Sequence, residues 1–281
     1  MYRYRLSQRV LLICILCCIG IGCKHKDRQV HYPEIAVANS YLESIIKDLH
    51  SDKHNILSLV PPGMCPGHFD ISPSQVNQLC NCRMLFVFDF QRNIENAIPR
   101  IKEQGLQVYK LKPLPGLCIP DTYFAVAEQV AAILADQYPD KKNYYAQRIK
   151  EIKIRLKSAG RDIKKHIEQS GWKDTKVIVS QYQAAFAKWL GLDPVSTFAG
   201  RDNITPAQIN RNLQQGVQNK IRLIIANKQE GTGLAQALAE HLNVKMAVFS
   251  NFPDAHSPAD GSGIFDNLMR DNVCNLLKAL K

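Results

Sequence analysis

The densest chemistry in the chain lies at residues 60–74, Val60-Pro61-Pro62-Gly63-Met64-Cys65-Pro66-Gly67-His68-Phe69-Asp70-Ile71-Ser72-Pro73-Ser74. An aliphatic strand end feeds a loop stiffened by prolines, which carries a thiol, an imidazole and a carboxylate before a helix opens. Imidazole and carboxylate are ligands for a divalent metal ion. A thiol beside an imidazole is also the nucleophile and base of a thiol enzyme, so Cys65 with His68 defines an exported enzyme as a competing reading. That reading needs the two side chains in contact and a set of oxyanion donors. A Pro-rich loop assures neither, and the chain has no Gly-x-Ser-x-Gly elbow and no His-Glu-x-x-His helix.

Two further loops carry polar groups at strand ends. Asn227-Lys228-Gln229-Glu230-Gly231-Thr232-Gly233 follows an apolar run and precedes a helix, the position at which open α/β sheets bind ligands. It lacks the Gly-Lys-Ser or Gly-Lys-Thr of a phosphate loop, and a plain turn with a helix cap is the competing reading. Asn251-Phe252-Pro253 stands at the next strand end, so its amide is expected to line the same cleft, and His256 is a loop-borne candidate ligand close to it in sequence. His50, His54 and His166 sit among charges, and His241 lies on a helix beside Leu238 and Leu242.

The elements that must position these loops alternate. Short aliphatic runs at 56–60, 84–88 and 106–111 read as strands, and the continuous apolar run at 84–88 is of the kind buried on both faces of a parallel sheet. Helical spacing over 41–46 follows a Ser or Asn cap, and another helix opens at Ser72. Residues 123–137 are helical, Pro139 interrupts, and 143–169 read as one amphipathic helix of roughly seven turns. Gly160 weakens that helix by up to about 1 kcal/mol without ending it. Beyond Gly171-Trp172 the alternation resumes, with strands at 176–179, 223–226 and 246–249 and helices at 184–190, 206–217, 234–242 and 265–280. The expectation is an α/β protein of two lobes joined by one long rigid helix. The lobes are placed at 23–138 and 171–281 and the joining helix at 139–170.

Composition bounds the class. A hydrophobic share of 46% belongs to a folded protein. The formal charge of +11 includes Arg3, Arg5 and Arg9, and the richer basic stretch at 141–165 alternates with acids at helical spacing, so a solvated helix face explains it. No nucleic-acid module is present. Those three arginines precede an apolar run of about a dozen residues, too short for the roughly 20 that span a membrane, which stops at Gly22-Cys23. The pattern reads as an export signal over residues 1–22, and it resembles the lipobox of bacterial lipoproteins, with Cys23 as the lipidated residue. An uncleaved anchor helix is the alternative. Past Cys23 the remaining cysteines are Cys65, Cys80, Cys82, Cys118 and Cys274, an odd number that leaves at least one thiol free or paired outside the chain.

Taken together, the Pro-Pro-Gly turn at 61–63, His68 and the helix opening Ser72-Pro73-Ser74, the long helix after Pro139, the segment from Ser180 to Gly191, and the closing Phe265, Met269 and Asn272 resemble the metal-type solute-binding lipoproteins of ABC importers. The resemblance spans most of the chain. It implies two lobes around a cleft, one small ligand gripped between them and a permease in the cytoplasmic membrane as partner. The implied ligand is a divalent metal ion, zinc or manganese, carried as cargo, and the implied binder is a monomer tethered through Cys23 outside the cytoplasm. The family's ligand positions fall on His68, Asp121, Gln181 and Asn251, with Cys65, Cys118, Ser180, Asn227 and His256 as further cleft candidates. One imidazole, one carboxylate and two amides make a poor zinc cage and suit a harder ion. A metal chelate such as a siderophore or corrinoid, which brings its own ligands, is the alternative cargo. Cys65 and Cys118 precede His68 and Asp121 by the same offset, so facing loops would leave them bridged, jointly binding a soft ion, or as two unrelated buried thiols.

Overall fold

The computed structural model describes residues 33–50, 56–61, 71–91, 94, 98–102, 105–200, 204–254 and 263–279, all within one compact unit, Tyr32–Lys281. The signal segment, with Cys23, lies outside the described residues, as do Cys65, His68 and His256. Among the described residues no helix is long and apolar enough to cross a membrane.

Two four-stranded parallel sheets carry the fold. The first has the order β2 (Ile56–Ser58), β1 (Ile35–Val37), β3 (Met84–Phe88), β4 (Gln107–Leu111), and the second the order β6 (Asp193–Phe198), β5 (Lys176–Ser180), β7 (Leu223–Asn227), β8 (Lys245–Phe249). In each, the first strand in sequence pairs with the second on one side and the third on the other, so the chain reverses its direction of travel across the sheet between β1 and β3 and again between β5 and β7. Helices α1 (Ser40–Leu49), α2 (Pro73–Leu79) and α3 (Pro99–Lys102) serve the first lobe, with α4 (Pro120–Gln137) after β4. The second lobe has α6 (Ala184–Trp189), α7 (Pro206–Asn219), α8 (Gly233–Leu242) and α9 (Ile264–Lys278). Between the lobes runs α5 (Lys142–Ser170), 29 residues long, or about 44 Å at 1.5 Å per residue. Gly171 ends it at φ 77°, in the left-handed conformation that a glycine C-cap adopts without strain.

The core follows from the apolar runs. One continuous cluster joins the inner faces of both sheets, with Phe86, Phe88, Val179, Ile225 and Phe249, to α4, α5 and α9 through Tyr123, Val126, Ile152, Leu156, Phe265 and Met269. Two smaller clusters cover the outer faces, one around Leu85, Val87 and Leu106, the other around Ile178, Ile224 and Leu238. Strands buried on both faces explain the continuous apolar runs of β3 and, up to Asn227, of β7.

Two strands depart from expectation. Residues 35–37, which the sequence reading does not place in a strand, form β1, a three-residue strand at the interior of its sheet. Residues 193–198 form β6, which the sequence reading does not contain. Asp193-Pro194 opens it, and it lies at the sheet edge, the place where proline and half-exposed residues are tolerated in a strand.

A polar cluster ties the first lobe to both long helices. Arg155 of α5 reaches Asp48 of α1 through Nη1–Oδ1 at 3.0 Å and Nη2–Oδ2 at 2.5 Å. Its Nε stands 3.0 Å from Asp266 Oδ2 of α9, an ion pair without the alignment of a hydrogen bond. Tyr123 of α4 donates to Asp48 Oδ2 at 2.8 Å. Burial works against the Arg155 guanidinium, but Asp48 and Asp266 outweigh it and hold its pKa above the usual value.

Candidate functional site

Parallel strands end together, so the loops leaving their C-terminal ends gather at one edge of each sheet. In open α/β sheets the crevice for a ligand forms there, where the strand order reverses. Each of these two reversals is spanned by buried polar side chains. In the first lobe Asn39, just past β1, donates from Nδ2 to Gln91 Oε1, just past β3, at 3.1 Å. The same Gln91 oxygen accepts the Phe88 N–H at 3.0 Å, and Asn39 Oδ1 caps α1 by accepting the Leu42 N–H at 3.0 Å. Gln91 Nε2 is buried without a partner.

In the second lobe Ser180 at the end of β5 donates to Glu230 Oε2 beyond β7 at 2.5 Å. Gln183, in the turn that follows β5, donates from Nε2 to Asn227 Oδ1 at 3.1 Å and to Asn251 Oδ1 at 3.0 Å. One amide thereby ties the ends of three adjacent strands. Gln183 is fully buried and its Oε1 has no hydrogen-bond partner. A buried orphan carbonyl costs about 1–3 kcal/mol, so its persistence calls for a reason. The Asn251 N–H donates to Gln229 Oε1 at 3.0 Å, which fixes the loop after β8 onto the loop after β7.

Cys118 joins the lobes. It lies in the connector between β4 and α4, fully buried, with Sγ 2.9 Å from the Ser250 carbonyl oxygen and 3.5 Å from Asn251 Oδ1. Asn272 of α9 donates to Cys118 Sγ at 3.5 Å and to the Ser250 carbonyl at 2.9 Å. The thiol is free, and its contacts are the carbonyl and amides of the opposite lobe; Cys65, whose relation to it the sequence leaves as a bridge, a joint soft-ion site or none, lies outside the described residues. Burial pushes its pKa far above the ordinary thiol value, against the opposing hydrogen bond from Asn272. A thiol held protonated is a poor nucleophile.

The expected residues divide accordingly. Asn251, Asn227, Ser180 and Cys118 are buried and share contacts. Asp121 is exposed in the first turn of α4, where its charge complements the helix N-terminus and makes no contact with this cluster. Gln181 is exposed too, and its backbone N–H pairs with the Phe198 carbonyl at 2.9 Å. The amide that enters the cluster is Gln183, two positions later, because the chain turns through 181–183 before α6 starts. Gln91, Glu230 and Asn39 were missed. Their signal is the strand order, which places residues after β1 beside those after β3, and those after β5 beside those after β7. Among the described residues no three or more His, Cys, Asp or Glu side chains group as a metal cage.

Solved structures of the same shape are numerous. A manganese-bound periplasmic metal-binding protein from Candidatus Liberibacter asiaticus superimposes with a TM-score of 0.72 at 14% identity, over 88% of this chain and 99% of that one. The solute-binding protein FpvC of Pseudomonas aeruginosa, in complex with Ni2+, gives 0.71 at 15% identity over 87% and 95%. The laminin-binding adhesin of Streptococcus agalactiae gives 0.70 at 16% identity over 88% and 99%. At such identities the likeness establishes the two-lobed fold. No curated protein sequence matches the chain. The family model described as ZnuA, zinc-uptake complex component A, periplasmic, matches residues 119–279 of the 281, from the start of α4 to the end of α9. The chain therefore belongs to the ZnuA family.

Proposed function

We propose that the protein is the solute-binding component of an ABC importer, which captures a divalent metal ion, zinc or manganese, between its lobes and passes it to a permease in the cytoplasmic membrane. The observation that carries this reading is a buried polar cluster at each of the two strand-order reversals, the second one met by Cys118 from the β4–α4 connector, in a chain of the ZnuA family. The export signal over residues 1–22 and the lipid on Cys23 would hold it outside the cytoplasm, with lobes at 23–138 and 171–281 joined through 139–170, acting as a monomer. His68 would supply an imidazole from the first lobe, and Asn251 an amide oxygen from the second. A helix as long as α5, packed on both lobes, favours release by small movements of lobes or loops over a wide clamshell opening.

A second reading has its own support. The cluster is made mainly of amides that bond one another, and a metal chelate brings its own ligands, so neutral groups would be enough to seat it. The test is elemental analysis of protein purified without chelators. Stoichiometric zinc or manganese is expected. Metal-free protein of normal stability would move the reading to a chelate.

A further inference from the structure

The loop after β7 places one carboxylate at the strand-order reversal of the second lobe. Glu230 ends a single 3-10 turn, Lys228–Glu230, which folds it back over the end of β7 and across to β5. Its Oε2 accepts from Ser180 Oγ at 2.5 Å and stands 3.5 Å from Asn227 Nδ2. Its Oε1 lies over Gly200, where even a methyl group would come within 2.7 Å of it. Asn227 in turn holds Gln183, whose buried Oε1 has no hydrogen-bond partner. A negative charge, two amides and an unused buried carbonyl oxygen therefore lie along one hydrogen-bonded chain at the strand ends where ligands enter such sheets.

We propose that Glu230 is a cargo ligand of the second lobe, and that with the Gln183 carboxamide oxygen it makes this lobe's share of the site an oxygen-donor surface for a hard divalent cation of the manganese type. This rests on the metal-ion reading of the cleft. Carboxylate and carbonyl oxygens suit hard cations, whereas zinc and softer ions favour imidazole and thiolate. The one thiol of the cluster, Cys118, is committed to the Ser250 carbonyl and Asn272. The orphan carbonyl of Gln183 gains a partner when a cation binds, which supplies the reason for its burial. Gly200 is the residue that leaves room for the carboxylate.

The test uses the mature protein stripped with a chelator and titrated with Mn2+ in a calorimeter. Glu230→Gln keeps the acceptor for Ser180 while removing the charge, so the unliganded melting temperature should stay near that of the parent. Mn2+ affinity should fall at least tenfold, about 1.4 kcal/mol. Gly200→Ala, which leaves Glu230 in the chain but crowds its carboxylate, should weaken Mn2+ binding by a smaller factor and keeps the idea testable if the first variant folds poorly. If the parent binds Mn2+ and both variants bind it equally well, Glu230 is not a ligand, while the importer reading stands. If the parent binds neither Mn2+ nor Zn2+, the metal-ion reading fails and the assignment of Glu230 fails with it.

Discussion

Replacing Asp48 with Asn perturbs a polar contact shared by α1, α4, α5 and α9. Asp48 accepts two hydrogen bonds from Arg155 and one from Tyr123. The carboxamide preserves the shape but turns one acceptor into a donor that faces a guanidinium or phenol hydrogen. Removing one partner of a fully buried pair costs about 3–5 kcal/mol. Here the side chains of Arg155 and Asp48 are 25% and 12% exposed, and Asp266 remains 3.0 Å from Arg155 Nε, so water and the second carboxylate take up part of the loss. The expected cost is about 2–3 kcal/mol, or roughly 5–10 °C in melting temperature for a chain of this size. Urea titration of the parent, Asp48→Asn, Arg155→Met and the double variant measures it. The double variant should lose less than the sum of the singles, since the contact between Asp48 and Arg155 can be lost only once. A loss below about 1 kcal/mol for Asp48→Asn, or additive singles, would refute the view that this cluster is an internal joint and would make it a solvated surface pair.

Three further outcomes follow from other sites. Burial raises the pKa of Asp266 more than Arg155 lowers it, so its native carboxyl binds protons more readily than the unfolded one. Its stabilising contribution is complete below the unfolded value and is lost as pH rises through the raised one. The stability deficit of Asp266→Asn relative to the parent, measured by urea titration at a series of pH values, should therefore shrink from acid toward neutral pH, and a deficit that grows would reverse the argument. Brief alkylation at neutral pH, read by mass spectrometry, should label Cys80 and Cys274, which are exposed, and spare Cys118 until urea is added; early labelling of Cys118 would show that the lobes part readily. A Cβ on Gly160 would lie 3.3 Å from Trp189 and 3.6 Å from Pro120, so Gly160→Val should cost about 1–3 kcal/mol by thermal melting despite the loss of a helix glycine, and a rise in melting temperature would mean that helix propensity dominates there.

The central strands and the long helix were legible because their physics is local. β3 and β7 are continuous apolar runs, and α5 carries a 3.6-residue stripe ending in glycine. β6 was not, since an edge strand that begins Asp193-Pro194 buries too little to show an apolar pattern. The candidate site was half legible. Ser180, Asn227 and Asn251 follow directly from strand ends, whereas Gln183 and Glu230 return to the cluster through tight turns that reverse the chain within three residues. Sequence offset from a strand does not say which side chain a turn brings back. Asn39 and Gln91 meet only because β1 and β3 are neighbours, a fact of topology that no local pattern encodes.

The waist of α5 has a meaning for how lobes of this kind can be exchanged. Trp189 of the second lobe and Pro120 of the first both lean on Gly160, the one position of the helix where the backbone is bare of a side chain. Each lobe thus takes its height along α5 from the same point, as two parts of an instrument are aligned to a single mark. A chimera that joined this first lobe and helix to another second lobe would need a ring in place of Trp189 that meets the glycine at the same height. With a smaller residue there, the incoming lobe would lose this stop and would take its place along α5 from its closing helix and the pair between Arg155 and Asp266.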